Sequence, residues 1–214
     1  MSDQAAAVLL QCEGAVATLT LNRPEKLNPL DGDAIAALDA RVGELEARVD
    51  IRVVRLTGAG KAFSAGGDLA GYISLYQAPD AFRDFLEAFH ALLNRMEQSA
   101  KIYVAAVNGA CVAGGLELLL TCDVALAGEG ARIGDGHLNF GQLPGAGGSQ
   151  RLPRAIGAMG AKFLMLSGEL LDAASAQRIG LISRVFPDGE LAAAMDSLLQ
   201  ALVSCGAEFK DLLS

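Results

Sequence analysis

A carboxylate just inside a glycine-opened helix is the clearest chemical feature of the 214-residue sequence. In AGGLEL, residues 113–118, the N–H groups of Gly114 and Gly115 would open a helix, unsatisfied and at its positive end. Glu117 follows in the first turn, and helical side chains lean toward the N-terminus. We therefore expect its carboxylate near those N–H groups, an arrangement suited to stabilising an oxyanion while a base works beside it.

Glu117 also has a purely structural interpretation, as an acidic residue favoured by the helix dipole. A reciprocal capping box is not available to it, because Ala113 at the expected N-cap has no side-chain acceptor. The local pattern leaves the catalytic and the structural interpretation open.

His137 is the second candidate, one of only two histidines in the chain. It stands between glycine-rich segments in IGDGHLNFGQLPGAGG, residues 133–148. Its reference pKa of about 6.5 lets an imidazole exchange protons near neutral pH. His90, by contrast, falls on the polar face of an amphipathic helix, where we expect it to be solvated.

The glycine clusters SAGGD (64–68), AGG (113–115) and PGAGG (144–148) match no phosphate-binding fingerprint, and the sequence has no G-x-S-x-G elbow. Nucleotide hydrolysis, hydride transfer and serine hydrolysis therefore lack their usual parts. A net charge of −8 disfavours binding to nucleic acid or anionic membranes. An anionic ligand can still bind locally, at helix N-termini and a few placed cations.

The four cysteines are scattered without a C-x-x-C pair, which predicts no metal site and reduced, buried thiols in a cytoplasmic protein. They are Cys12, Cys111, Cys122 and Cys205. The N-terminal segment lacks the positive region of a signal peptide, and no apolar run approaches the ~20 residues of a membrane span.

Strand and helix patterns alternate along the chain, which predicts an α/β fold. The expected order is a hairpin around Glu13-Gly14, a helix at 33–49, a strand at 51–58, a helix with an apolar stripe from Phe82 to Met96, a strand at 101–109, a short helix at 113–123, a strand pair at 124–134, a helical region at 149–179, a strand at 181–186 and a helix from about 188.

Five blocks in order resemble the crotonase family, the enoyl-CoA hydratase/isomerase superfamily. They are NRPEKLNPL (22–30), GKAFSAGGDL (60–69), AAVNGACVAGGLELLLTCD (105–123), PGAGGSQRLPRAIG (144–157) and AQRIGLISRVF (176–186). The resemblance implies a crotonase-like spiral of ββα units, with an acyl-CoA-binding core at 1–200 and the start of a shortened C-terminal helical region at 201–214. It also implies a homotrimer or hexamer.

By the same resemblance, the substrate is an acyl-CoA thioester, coenzyme A is part of that substrate, and no separate cofactor or metal is needed. The thioester carbonyl would be polarised by the N–H groups of Gly67 and Gly114. The resemblance places CoA contacts at six positions, although the charged ones among them could equally be solvated surface charges. These positions are Arg23, Lys26, Lys61, Ala65, Gly67 and Leu69.

The sequence departs from the family pattern at the second of two catalytic glutamates. Glu117 matches the first, and the second falls on His137, with both flanks in register. If this segment is extended, Asp135 lies on the same face as His137 and could orient the ring or replace the missing acid. His137 is then either a substitute acid/base or a residue that lines a pocket whose chemistry needs only Glu117.

Family members usually carry further C-terminal helices, whereas this sequence stops at AEFKDLLS. It is either a piece of a longer chain or a short member, and this leaves the trimer open. The first functional hypothesis is an enoyl-CoA hydratase-type lyase that works through an oxyanion-stabilised enolate. The alternatives are a double-bond isomerase or thioester hydrolase that uses Glu117 alone, and a non-catalytic acyl-CoA-binding or assembly subunit.

Overall fold

The computed structural model describes residues 6–205, apart from the side chains of residues 69, 70, 73, 74 and 205. The strands are β1 (Val8–Glu13), β2 (Val16–Leu21), β3 (Val53–Gly58), β4 (Ala62–Ser64), β5 (Ile102–Val107), β6 (Ala110–Val112), β7 (Val124–Gly128), β8 (Arg132–Gly134), β9 (Leu171–Asp172) and β10 (Arg184–Phe186). The helices are α1 (Gly32–Glu46), α2 (Leu69–Tyr76), α3 (Pro79–Glu97), α4 (Gly114–Leu119), α5 (Gly148–Ser167), α6 (Ala173–Arg178) and α7 (Leu191–Cys205).

Two sheets share these strands. The larger has the order β1-β2-β3-β5-β7-β10, parallel throughout except for the β1–β2 hairpin. The smaller has the order β4-β6-β8-β9, with β9 antiparallel at its edge. From β3 onward a strand of the large sheet is followed by a strand of the small sheet and then by helix, three times in succession. This confirms the predicted α/β spiral of ββα units.

The hydrophobic stripes of the long helices face the core as their spacing predicted. In α1 the buried side chains include Ile35, Leu38 and Val42, and the helix begins where the Asp31 side chain accepts a hydrogen bond from an amide of the first turn. The predicted extension to residue 49 is wrong, because α1 ends at Glu46 and Val49 is 96% exposed.

Three other expectations need correction. The strands expected as a pair at 124–134, β7 and β8, lie in different sheets and do not pair with each other. The helical region at 149–179 is divided into α5 and α6 by the short strand β9, and α5 itself breaks at Gly157, where φ is 79°. Helix α2 and the short strands β4, β6 and β9 were not predicted.

The cysteine expectation holds in part. Cys111 is buried, but Cys12 is exposed near the end of the edge strand β1. The predicted C-terminal region at 201–214 is described as far as residue 205, and residues 206–214 lie outside the described part. Within the described part, no helix combines the length and the apolar character that a membrane crossing requires.

Candidate active site

The small sheet brings two glycine-containing loops together. β4 and β6 pair in parallel, with Ser64 opposite Cys111, so the segments that follow them leave the same edge of the sheet. A Cβ atom built on Gly66 would lie 2.9 Å from the carbonyl oxygen of Val112, and one built on Gly115 would lie 2.5 Å from the carbonyl oxygen of Ser64. Only residues without a side chain permit this approach.

Asn28 fixes the first of these loops to the turn before α1. Asn28 is 1% exposed, and its side-chain amide donates to the backbone carbonyl of Ala62 at 2.8 Å. The backbone carbonyl of Asn28 accepts a hydrogen bond from the Ser64 hydroxyl, also at 2.8 Å. The Leu30 amide also donates to the Gly66 carbonyl at 2.8 Å. Sequence reasoning missed Asn28, although its place in NRPEKLNPL, between two turns, was an available signal.

The amides of Gly67 and Gly114, which the resemblance marked as a pair, lie on these two loops. Within residues 6–205 neither N–H has a hydrogen-bond partner. Gly114 is the first residue of α4, and Ala113 before it adopts φ 52° without the freedom of glycine. The local backbone is therefore strained at the point where an unpaired donor is presented, a combination typical of functional sites.

Glu117 is buried in α4, at 2% exposure, and lines the same cavity as Gly114. Its Oε1 accepts hydrogen bonds from the amides of Ala146 and Gly148, both at 2.8 Å, two partners that the sequence did not predict. The turn that enters α5 supplies these two donors. The second oxygen, Oε2, lies 3.8 Å from Nε2 of His137.

Asp135 holds the other side of the His137 ring. Its Oδ2 lies 3.1 Å from Nδ1, and both residues are buried, at 1% and 7% exposure. The expected extended segment is absent, because Gly136 adopts φ 63° and His137 begins a 3₁₀ turn. The turn nevertheless brings the two side chains into contact. Asp135, His137 and Glu117 therefore form a buried row of titratable side chains.

Burial is the main influence on Glu117, and it raises the pKa of the carboxyl above its usual value. The opposing causes are, in order, the charge of His137 and the hydrogen bonds from Gly148 and Ala146, while the charge of Asp135 adds to the increase. Glu117 therefore keeps its proton to a higher pH than an exposed glutamate would, as a general acid requires.

Arg151, which the sequence analysis overlooked, supports the loop that holds Glu117. Its guanidinium is buried and donates to the Ala146 carbonyl at 3.0 Å, to Asn94 Oδ1 at 2.6 Å and to Glu97 Oε2 at 3.0 Å. The backbone N–H of the same residue, Ala146, donates to Oε1 of Glu117. An arginine beside the apolar Leu152 at the start of a helix was the available signal, since arginine is rarely buried without partners.

Replacing Arg151 with Met should lower the free energy of unfolding by about 2 kcal/mol, because the buried Ala146 carbonyl and the half-buried Asn94 side chain lose their donor. Activity should fall as well, since the Ala146 amide is no longer held against Glu117. Denaturant unfolding and turnover of Arg151→Met would be compared with those of Arg154→Met, which alters an exposed arginine of the same helix. Equal stability of the two variants would contradict this role for Arg151.

A small cavity joins these groups. It measures about 30 Å³ and is lined, among others, by Gly114, Glu117, His137 and Tyr72. This volume holds a water molecule or two. The Tyr72 ring lies directly over Gly67, since a Cβ built on that glycine would be 2.2 Å from the phenol oxygen.

The residues marked for CoA contact lie in the segment between β2 and α1 and in the segments on either side of β4. Arg23 makes a bidentate ion pair with Asp31, both contacts at 2.6 Å, so a phosphate would have to compete with that carboxylate. Lys26 and Lys61 are exposed and have no ion pair among the described residues.

The loops that carry these two lysines touch, because a Cβ on Gly60 would lie 2.8 Å from Cβ of Pro24. Ala65 is half-buried, and its amide donates to the carbonyl of Leu27. Leu69 begins α2, and its side chain lies outside the described atoms. Across the described part of the chain, no group of three or more His, Cys, Asp or Glu side chains could hold a metal ion.

Known proteins resemble this chain in sequence and in fold. The enoyl-CoA hydratase/isomerase family model matches residues 11–212. A probable enoyl-CoA hydratase of Mycobacterium bovis is 40% identical over 184 residues, covering 86% of this chain and 70% of the relative. A short-chain-enoyl-CoA hydratase of Clostridium acetobutylicum is 36% identical over 198 residues, covering 92% and 75%.

Among solved structures, the enoyl-CoA hydratase from Bacillus anthracis superimposes with a TM-score of 0.89 at 32% identity, over 94% of this chain and 78% of that one. Identity at this level over nearly the whole chain carries the family assignment as well as the fold. The chain is a member of the enoyl-CoA hydratase/isomerase family of enzymes.

Proposed function

We propose that this enzyme is an enoyl-CoA hydratase that adds water to a 2-enoyl-CoA thioester, with Glu117 and His137 as its two proton-transfer groups. The observation that carries the proposal is the 3.8 Å separation of Glu117 Oε2 and His137 Nε2 at a cavity of water size. A single water molecule at that point lies within hydrogen-bond reach of both groups.

The thioester carbonyl would bind between the unpaired amides of Gly67 and Gly114. Addition of hydroxide at Cβ moves the double-bond electron pair toward the carbonyl, so negative charge develops on the thioester oxygen. Two preformed N–H donors in a buried site stabilise that charge, and each is worth about 3–4 kcal/mol of barrier in comparable sites.

Asp135 determines which nitrogen of His137 takes part. Its carboxylate lies against Nδ1, which favours the tautomer with the proton on that nitrogen and leaves the Nε2 lone pair facing Glu117. His137 is then the base that accepts the proton of water. Glu117, whose pKa burial raises, is the acid that supplies a proton to Cα.

Nε2 of His137 takes a proton from water as the water oxygen bonds to Cβ, and the double-bond pair forms the enolate. The enolate then takes the proton of Glu117 Oε2 at Cα. His137 has gained one proton and Glu117 has lost one, and transfer between the two atoms, 3.8 Å apart, restores the starting state.

The test is turnover of crotonyl-CoA by the wild type, His137→Ala and His137→Glu. The wild type should form the 3-hydroxyacyl product, and His137→Ala should lose about a hundredfold in kcat, because general base catalysis by the ring is removed. His137→Glu should recover part of that loss, since it supplies a second carboxylate. Full activity of His137→Ala would show that the ring takes no part in proton transfer.

The same assay separates the other reactions of this enzyme class. A 3-enoyl-CoA that is converted while crotonyl-CoA is not would identify an isomerase that uses Glu117 alone. Release of free CoA without a hydroxyacyl product, followed with a thiol reagent, would identify a thioester hydrolase. Either outcome would overturn the hydratase proposal.

Phosphate contacts by Lys26 and Lys61 are a further part of the proposal. Their exposure, the contact between their loops and the absence of an ion pair to either among residues 6–205 support them as cations for the CoA phosphates. Arg23 has a weaker claim, because Asp31 already satisfies its guanidinium.

A further inference from the structure

The cavity at Glu117 ends against a group of aromatic rings, which we call the aromatic wall. Eleven residues of the chain are aromatic, and five of them fall between positions 72 and 89. Four of the five line this cavity, and the fifth, Phe85, packs against the ring of Tyr72. The wall consists of Tyr72, Tyr76, Phe82, Phe85 and Phe89. It links α2 to α3.

Phe85 of the wall also lines a larger apolar groove. It measures about 590 Å³, and its lining from α1 and α3 is mostly small or aliphatic, with one acidic side chain at the edge. The lining residues that matter here are Ile35, Ala36, Ala81, Phe85 and Ala88. The groove is roughly twenty times the volume of the cavity at Glu117, and it offers alkyl contacts but hardly any polar partner.

Two rings separate these spaces. Tyr72 lines the cavity, Phe85 lines the groove, and their ring centroids are 5.6 Å apart in an edge-to-face arrangement. The Tyr72 hydroxyl has no hydrogen-bond partner among the described residues, and its ring packs against Tyr76, Phe82 and Phe85 while lying over Gly67. A chain that extended from the cavity toward the groove would meet the Tyr72 ring first and the Phe85 ring next.

From this geometry we infer that Tyr72 and Phe85 form a partition that restricts the enzyme to short acyl chains, and that the groove behind it is the space a longer tail would enter. The inference rests on the proposed hydratase function and adds the substrate class. Tyr72 and Phe85 are thus specificity-determining residues, while proton transfer stays with Glu117 and His137.

The experiment compares kcat/KM for crotonyl-CoA and 2-octenoyl-CoA in the wild type, Tyr72→Ala, Phe85→Ala and the double variant. The wild type should prefer crotonyl-CoA. Each methylene that gains an apolar site is worth about fourfold in binding, so four of them allow up to about 200-fold. We expect the octenoyl-to-crotonyl ratio to rise at least tenfold in the double variant.

Tyr72→Phe is the matched control, because it keeps the ring and removes only the hydroxyl, and its ratio should stay within about twofold of the wild type. Phe85→Leu serves if Phe85→Ala does not fold, since it opens the partition with a smaller loss of packing. An unchanged ratio in all of the folded opening variants, or a wild type that already prefers the octenoyl substrate, would overturn the inference.

Binding of the saturated thioesters separates this inference from the proposed function. Calorimetry with butyryl-CoA and octanoyl-CoA needs no chemistry, so it reports on the partition even if no enoyl-CoA is hydrated. Suppose that Tyr72→Ala binds octanoyl-CoA more tightly than the wild type does, and that the wild type does not hydrate crotonyl-CoA. That result would sustain the partition and reject the hydratase. Hydration with equal octanoyl-CoA affinity in wild type and variants would do the reverse.

Discussion

Replacing Glu117 with Gln should reduce kcat on crotonyl-CoA by about 10³–10⁴-fold, the upper range for loss of a general acid. Gln keeps the shape of the side chain, and its carbonyl oxygen can accept the same two hydrogen bonds from Ala146 and Gly148. What disappears is the transferable proton on Oε2, the atom that faces His137. Steady-state turnover of the purified variant measures this loss.

The same variant should be more stable than the wild type, and increasingly so as the pH rises. Burial raises the pKa of Glu117 in the folded protein. A carboxyl group with a raised folded-state pKa contributes most favourably below its unfolded pKa of about 4.3. That contribution is lost as the pH rises through the folded pKa, because ionisation then favours the unfolded chain.

Thermal unfolding of wild type and Glu117→Gln across pH 5 to 8 tests this sign, with the lower end chosen close to the reference glutamate pKa of about 4.3. The difference in Tm should grow in favour of the variant toward the alkaline end. Glu117→Asp is a useful control, since it keeps a carboxyl but withdraws it from the two amides. A Tm difference that shrinks with rising pH would show that the folded pKa is lowered and that Glu117 serves as a base.

Glu117 and the paired glycines could be predicted from the sequence because their chemistry is local. A helix that opens on two glycines with a glutamate in its first turn specifies both the unpaired amides and the nearby carboxylate. The family blocks then placed Gly67 opposite Gly114, and the parallel β4–β6 pairing brings the two loops together. The α/β spiral followed from the same blocks.

The groups that hold Glu117 in place could not be predicted in this way. Ala146 and Gly148 act through backbone N–H groups, which every residue but proline possesses, so their identity carries no signal. Their position depends on the turn into α5 and on Arg151, 34 residues after Glu117 in the printed numbering. Such long-range contacts depend on packing that local periodicity does not encode.

His137 and Asp135 lie between these two cases. Their spacing suggested a contact on one face of an extended segment, and the contact exists, but a left-handed glycine and a 3₁₀ turn produce it. Helix α2 was missed for a similar reason. LAGYISLY is short, is interrupted by Gly71 and contains residues of modest helix propensity, so its helix depends on aromatic contacts with α3.

Removing the Gly114 N–H should lower kcat by about 10²–10³-fold, the loss found when one oxyanion donor is deleted. Gly114→Pro removes the donor at the first position of α4, where proline suits the helix. Gly114→Ala is the matched control, because it keeps the N–H, and its Cβ would meet Phe89 and Leu30 at ordinary distances of 3.4 and 3.5 Å.

Proline also restricts the residue before it to extended conformations, whereas Ala113 has φ 52° and ψ −118°. An amide-to-ester replacement at position 114 avoids that restriction, because it exchanges only the N–H for oxygen. If Gly114 is an oxyanion donor, the ester and the proline variant lose kcat together, while Gly114→Ala stays close to the wild type. Full activity of a folded ester variant would place the developing charge elsewhere, and the unpaired amide of Gly114 would then be only the open end of a short helix.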